Sequence, residues 1–250
     1  MLNCEVHVVC WNEAEILPYT LRHYRTFCSK IVVHDDQSTD GSREIIKAAG
    51  VDLVDRHTGG VVDEHEYCRI KDESWKGTTA DWVIVVDADE LIFFPKGAEA
   101  TIAEYERQGV NIVKPYGYEM FTDTYPTTEG QIYDEVKMGA PDNQWYSKPA
   151  MFSAKRVKET HYGLGAHQCS GKLVSGVSFS NPTAYSIPET FLLHFKHLGG
   201  VERLAKRYDE VYARQLPINH KMGWGHQCPG IEAAMKKRAG VLPNLRQIIS

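Results

Sequence analysis

Short β-branched or aromatic runs alternate along this chain with longer segments that carry apolar residues at helical spacing, and the early apolar runs stop at polar clusters. Glu5 to Trp11 alternates and then fills with Val8, Val9 and Cys10, predicting a buried strand that ends at Asn12 and Glu13. From about Glu15 to Phe27, the residues Ile16, Leu17, Leu21, Tyr24 and Phe27 recur on one helix face, with Pro18 tolerated in the first turn. Ile31 to His34 predicts a second strand, which ends in Asp35-Asp36-Gln37-Ser38-Thr39-Asp40-Gly41-Ser42 before a helix over Glu44 to Ala49. Val51 to Val54 predicts a third strand. The β-α-β-α-β order, with right-handed crossovers, implies a parallel sheet and an α/β fold.

Val62 to Thr79 reads as a polar helix with Tyr67, Ile70, Ser74 and Trp75 on one side and Arg69 and Lys71 on the other. It leads into Trp82 to Val86, an unbroken apolar run of the kind found in strands buried on both faces, which stops at Asp87-Ala88-Asp89-Glu90. A helix follows over Gly97 to Gln108 and a strand over Val110 to Tyr118, then turn-rich sequence to Asp142. Short strands are expected at Lys148 to Ser153, Lys172 to Val177 and Phe191 to Phe195, separated by long loops. Val201 to Leu216 has the pattern of a basic amphipathic helix, and the tail from Pro217 holds Gly223, Trp224, Gly225, Pro229 and a further short helix.

At 250 residues and 42% hydrophobic, the chain can bury one large α/β core. Its net charge of -5, with cations scattered among acids, offers no stripe for a nucleic-acid backbone and no polybasic tract for a membrane surface. No apolar run approaches the roughly 20 residues that span a bilayer, and the start runs straight into a strand, so a cytoplasmic protein without an integral membrane segment is expected. Six cysteines do not make a disulfide scaffold in a chain of this size, and reduced thiols are expected. His-Gln-Cys occurs at His167 to Cys169 and again at His226 to Cys228, but the spacing matches no common zinc module.

Carboxylates at the end of a central strand lie where open α/β sheets keep their ligand crevice. Asp87 and Asp89, one residue apart, can both turn toward a hard cation such as Mg²⁺ or Mn²⁺ that also binds a substrate diphosphate. The simpler reading is an acidic turn that caps the next helix. Ser38, Asp40 and Ser42 are competent helix caps, which leaves Asp35 and Asp36 unexplained. Arg69 and Lys71 are either solvated helix charges or cationic neighbours of a diphosphate.

With these residues in view, the chain resembles family-2-like glycosyltransferases of the GT-A fold. Asn12 and Glu13 resemble that family's opening motif, His34 to Ser42 resembles its nucleotide loop, and Asp87-Ala88-Asp89 resembles its DXD metal motif. The match is good over roughly residues 1–110 and loose beyond. The resemblance implies a mixed, mostly parallel central sheet flanked by helices in a single GT-A domain. Residues 1–110 would form a nucleotide-sugar half, 111–200 an acceptor-side half and 201–250 a helical tail.

It further implies that Asp36 contacts the base or ribose, that Asp87 lies near the ribose or the metal's waters, and that Asp89 ligates Mn²⁺ or Mg²⁺. Asn12, Glu13, Arg69 and Lys71 would complete the donor site. A late histidine completes the metal shell in several such families, and Leu192-Leu193-His194-Phe195 resembles that feature, with His167 as runner-up. Lys196 and His197 stand beside it, within reach of phosphate oxygens. For the acceptor's base the family uses an acid well after the DXD motif. Here Glu119, Asp134, Glu135, Asp142 and Glu189 are available, and Glu119 and Asp142 are the picks because each follows a strand or sits in a polar loop.

The implied function is metal-dependent transfer of a sugar from a nucleoside-diphosphate sugar to an acceptor hydroxyl, with inversion, in glycan or surface polysaccharide synthesis. The acceptor would be a carbohydrate or a lipid-linked glycan. Alternatives are a GT-A-like domain that binds nucleotide sugar or glycan without turnover, and a metal-dependent nucleotidyltransferase. Aspartate-nucleophile phosphatases also place DxD at a strand end, but after the first strand, whereas here it follows the fourth.

Overall fold

A computed structural model describes residues 2–141, 147–175, 190–222 and 229–250. The first half runs β1 (Leu2–Cys10), α1 (Leu17–Tyr24), β2 (Cys28–Asp35), α2 (Ser42–Ala49), β3 (Asp52–Asp55), α3 (Glu64–Glu73), β4 (Trp82–Asp87), β5 (Glu90–Phe93) and α4 (Ala98–Gln108). The second half continues through β6 (Ile112–Val113), β7 (Tyr116–Phe121), α5 (Ile132–Glu135), β8 (Met138–Pro141), β9 (Met151–Ser153), β10 (Val157–Glu159) and β11 (Lys172–Leu173). It ends with β12 (Phe191–His197), α6 (Gly200–Ala213), α7 (Pro217–Met222), α8 (Ile231–Val241) and β13 (Arg246–Gln247).

The strands form two main sheets. One has the order β3-β2-β1-β4-β9-β6, the other β13-β8-β7-β12-β5, and β10 pairs with β11 apart from both. β1 pairs in parallel with β2 and β4, and β2 with β3, as the β-α-β-α-β order predicts. β9 joins β4 antiparallel, so the architecture is α/β with a mixed sheet flanked by helices. The single sheet expected from the sequence is divided, however. Val110 to Tyr118 does not form one strand: it breaks between β6 and β7 at Lys114-Pro115, and the two pieces join different sheets. Proline has no N–H to donate to a ladder, which accounts for the interruption there. Pro149 likewise delays β9 to Met151.

β4 is buried on both faces, which is why it reads as a continuous apolar run. Trp82, Ile84 and Val86 pack with Val6 and Val8 of β1 and with Leu17, Leu21 and Tyr24 of α1. Val83 and Val85 face Trp75, Ile112, Phe152 and Val157. Each such fully buried aliphatic side chain contributes about 1.5–3 kcal/mol, so these two layers fix the central strands. The ladder pairs Cys10 with Asp35 and Val9 with Asp87, bringing the carboxyl ends of β1, β2 and β4 to one edge. In the second sheet β12 lies between β5 and β7, and His194 pairs with Glu90 on one side and Glu119 on the other.

Candidate active site

At the edge where β1, β2 and β4 end, the chain encloses a cavity of about 700 Å³. Trp11, Asn12 and Glu13 line it after β1, Tyr67 and Lys71 from α3, Asp87 to Asp89 from the turn after β4, His194 and Lys196 from β12, and Arg207 and Arg214 from α6.

Two loops are tied together beneath it. Asn12 sits in the left-handed region with φ 50°. Its N–H donates to Ser38 Oγ at 2.8 Å, and its Oδ1 accepts from the Thr39 N–H at 2.8 Å. The N–H groups of Glu13 and Ala14 donate to Ser42 Oγ and Asp40 Oδ2, both at 2.9 Å. Ser38, Asp40 and Ser42 therefore tie down the loop after β1. They do not simply cap their own helix, since α2 begins after Gly41 with no side-chain cap.

The two aspartates of the Asp87-Ala88-Asp89 turn engage different partners. Asp87 Oδ1 meets Lys71 Nζ at 2.7 Å, and its Oδ2 lies 3.4 Å from Lys148 Nζ. Burial alone would raise the Asp87 carboxyl, but these two ammonium groups hold it well below the usual carboxylate range. Lys148 also contacts Glu90 closely, and Glu90 accepts from the Asp87 N–H at 3.0 Å. Asp89 Oδ2 lies 3.5 Å from His194 Nε2 and 3.5 Å from Arg207 Nη2. Burial acts to raise Asp89 too, and His194 and Arg207 bring it below its ordinary value. Arg207 grips Glu13 with both terminal nitrogens.

His194 donates from Nδ1 to Glu119 Oε1 at 2.9 Å, which turns Nε2 toward Asp89. A carboxylate on the far nitrogen is the arrangement that orients a metal-binding imidazole. Burial would lower this histidine, but Glu119 and Asp89 outweigh burial and raise it. Asp89 oxygen and His194 nitrogen are suitable donors for Mn²⁺ or Mg²⁺. Among the described residues no three His, Cys, Asp or Glu side chains converge as a ligand set. The Asp89–His194 pair thus fits a cation whose remaining ligands come from substrate oxygens and water.

The other expected site residues fall in different places. Asp87 and His167 line the cavity but do not converge with Asp89 and His194 as ligands; Asp87 is turned to the two lysines. Asp36 is 2% exposed behind the wall, where it accepts from Thr58 N and Oγ1 at 3.0 and 2.6 Å and from Arg214 Nη2 at 2.6 Å. Arg69 is on the outer side of α3, paired with Glu66 and Glu73, and does not line the cavity. The helical period puts it on a different side of α3 from Lys71, which does line the cavity.

Glu119, expected as the base, is 3% exposed, accepts from His194 Nδ1 and is not among the residues that line the cavity. Asp134 caps α5 by accepting from the Gln131 N–H, and Glu135 accepts from the Thr127 N–H. Asp142, Glu189, His226 and Cys228 lie outside the described residues. Cysteines 4, 10, 28, 68 and 169 are free thiols, as expected.

Sequence reasoning missed Lys148, Arg207 and Arg214. Arg214 stacks 3.6 Å over the Trp11 ring, a strong cation–π geometry, while its guanidinium holds Asp36. A signal for the two arginines existed: they are seven residues apart in a predicted helix, and so share one face. Lys148 carried no comparable signal. Lys196, noted in sequence beside His194, lines the cavity, whereas His197 is fully buried. Burial lowers the Lys196 ammonium to about 8.

No family model matches the chain, and no curated protein matches it. Solved structures do. Glucosyl-3-phosphoglycerate synthase from Mycobacterium tuberculosis, in complex with Mn²⁺, UDP and glucosyl-3-phosphoglycerate, is similar at 17% identity and TM-score 0.32, over 46% of this chain and 43% of that one. The same synthase with Mg²⁺ and UDP is similar at 18% identity and TM-score 0.33, with the same coverage. S. aureus TarS is similar at 13% identity and TM-score 0.43, over 88% of this chain and 41% of that one. This chain spans well under half the length of these relatives. Likenesses this distant fix no residue's role, and the chemistry below rests on the side chains themselves.

Proposed function

We propose that the chain is a metal-dependent glycosyltransferase of the GT-A type that moves a sugar from a nucleoside-diphosphate sugar to an acceptor hydroxyl. The observation that carries this reading is the Asp89–His194 pair at a strand-end crevice, with Glu119 fixing the imidazole and Arg207 beside it. Asp89 and His194 would hold Mn²⁺ or Mg²⁺. When bound, the cation would neutralise the charge that develops on a departing diphosphate. Arg207, aligned by Glu13, adds a fixed positive charge at the same place. Lys71 and Lys148 keep Asp87 ionised, so it can accept from a ribose hydroxyl.

Trp11, Tyr67 and Arg214 offer planar surfaces for a base. Arg207 and Arg214 are separated by seven helical residues, about 10 Å at 1.5 Å rise per residue, which suits the span of a nucleoside diphosphate. Inversion, a role in glycan or surface polysaccharide synthesis, and a carbohydrate or lipid-linked acceptor extend this reading by family resemblance. No helix among the described residues is long and apolar enough to cross a membrane.

The test is thermal-shift or calorimetric titration with UDP, GDP, CDP, TDP and their sugars, each with Mn²⁺, Mg²⁺ or EDTA. One nucleotide family should stabilise the fold only with metal, by about 2.7 kcal/mol at a hundredfold excess over Kd. Asp89→Ala should abolish that response, and undiminished binding in the variant would sink the assignment. Product analysis then separates transfer, which releases nucleoside diphosphate, from nucleotidyl chemistry, which releases pyrophosphate.

A further inference from the structure

The backbone around Asp89 is held by groups outside its own turn. Ala88 donates its N–H to Val9 O at 3.0 Å, and Asp89 O accepts from the Phe195 N–H of β12 at 2.8 Å. The other restraints come from α1. Thr20 Oγ1 donates to Ala88 O at 2.5 Å, between the two aspartates. The Tyr24 hydroxyl donates to Glu90 O at 2.9 Å and accepts from the Ile92 N–H at 3.1 Å, while His23 Nε2 donates to Ile92 O at 2.8 Å. Residues three and four apart are neighbours on a helix surface, so Thr20, His23 and Tyr24 reach the turn and β5 from one face.

The needs of α1 do not account for these contacts. A threonine inside a helix ordinarily returns its single proton to the carbonyl four residues back. That carbonyl, Ile16 O, is 3.3 Å from Thr20 Oγ1, so the shorter bond to Ala88 O takes the proton. Thr20 and Tyr24 are fully buried, where valine and phenylalanine would fill the same space without a polar group to satisfy. β5 is the end strand of its sheet, and the Tyr24 hydroxyl takes the Glu90 C=O and Ile92 N–H that a further strand would pair. α1 thus joins the end of β4 in one sheet to β5 in the other, with Asp89 between them. β12 is laddered to β5 and carries His194, so the seating of the turn on β5 sets the 3.5 Å between Asp89 Oδ2 and His194 Nε2. A ligand constellation works only when held to within about 0.5 Å.

We infer that Thr20 and Tyr24 are positioning residues for the metal site: their hydroxyls fix the backbone from Ala88 to Ile92 and so hold Asp89 against His194. This inference rests on the metal-dependent transferase reading for its consequence, and on the bonds to Ala88, Glu90 and Ile92 for its geometry.

Thr20→Val removes one hydroxyl at constant shape, and Tyr24→Phe removes the other while keeping the ring. Mn²⁺ is titrated into the whole chain in the presence of the best-binding nucleoside diphosphate. Each variant should bind the metal about tenfold or more weakly than the unaltered chain, as supporting groups of a metal site do, and Thr20→Ser should return the affinity to within about threefold. Without metal, amide hydrogen exchange from Asp87 to Ile92 should quicken in Thr20→Val and Tyr24→Phe while that of β1 stays unchanged. Tyr105→Phe is the control: its hydroxyl is as deeply buried but meets Thr190, so its loss should leave Mn²⁺ affinity within about twofold. An equal loss of affinity in Tyr105→Phe would reduce the effect to general loosening and overturn the inference. Unchanged Mn²⁺ affinity in both Thr20→Val and Tyr24→Phe would overturn it as well, as would unchanged exchange at the turn. Quicker exchange at the turn in a chain that binds no Mn²⁺–nucleotide would support the seating of the turn by α1 and overturn the transferase reading instead.

Discussion

Glu119→Gln separates the two roles this residue can have. The side chain is buried on β7 and accepts from His194 Nδ1 at 2.9 Å, while the other ring nitrogen faces Asp89. Glutamine keeps the size and one acceptor oxygen but removes the charge that holds the ring. Loss of such a supporting carboxylate weakens metal binding by about 10–100-fold, or about 1.4–2.7 kcal/mol. Loss of a general base would instead lower kcat by about 10²–10⁴-fold and leave the metal's affinity alone. The assay is a calorimetric Mn²⁺ titration in the presence of the nucleoside diphosphate, followed by kcat at saturating Mn²⁺. The expected result is a raised Kd for Mn²⁺, with most of the rate restored by excess metal. An unchanged Kd together with a rate at least about a hundredfold lower at saturating Mn²⁺ would refute the positioning role and reinstate Glu119 as the base.

Arg69→Ala should leave Mn²⁺–nucleotide affinity unchanged and cost less than about 1 kcal/mol by urea denaturation, because it is itself exposed and its partners are solvent-accessible neighbours one turn away on the same helix. Arg214→Met strands a carboxylate that is 2% exposed and leaves Thr58 as its remaining side-chain partner among the described residues, so the same assay should show a loss of about 3–5 kcal/mol. Burial would raise Glu5, yet hydrogen bonds from His7, Thr78 and Lys30 bring it from an ordinary 4.5 down to about 2. Its folded-state value is depressed, so its contribution of about 3 kcal/mol is present above pH 4.5 and fades as pH falls toward 2. Glu5→Gln should flatten that limb of the stability profile, and an unaltered acid limb would exclude Glu5 as its source.

Much of the first half was legible because β1, β2 and β4 each announce both their burial and their end. β4 reads as an unbroken apolar run since Val83 and Val85 are covered as fully as Ile84 and Val86. The parallel register then carries the acids that follow β1, β2 and β4 to one edge. Local sequence did not reveal what the acids do there. Asp87 and Asp89 look equivalent in the turn, but Lys148 arrives from 61 residues downstream and captures one of them. Asp36 looks available beside the cavity and is instead taken by Arg214, 178 residues away. β5 was missed because four residues after an acidic turn are too few to show a period.

The division of labour within the Asp87-Ala88-Asp89 turn follows from electrostatics that no local motif encodes. The chain leaves β4 at Asp87 and turns at Ala88 and Asp89, so the two carboxylates do not keep the common face of an extended strand and each meets a different wall. The wall on the Asp87 side supplies two ammonium groups, which neutralise it and leave little reason for a divalent cation to settle there. On the Asp89 side lie a histidine anchored through its far nitrogen and an arginine already committed to Glu13. The net charge that a cation would meet is therefore more negative at Asp89 than at Asp87. Under the proposed metal-dependent reading, that difference would select Asp89 as the direct ligand and would make Lys71 and Lys148 determinants of where the metal sits. Replacing both lysines by methionine should restore a carboxylate's pull to Asp87, and a shift from one Mn²⁺ per chain toward two in a calorimetric titration would show it.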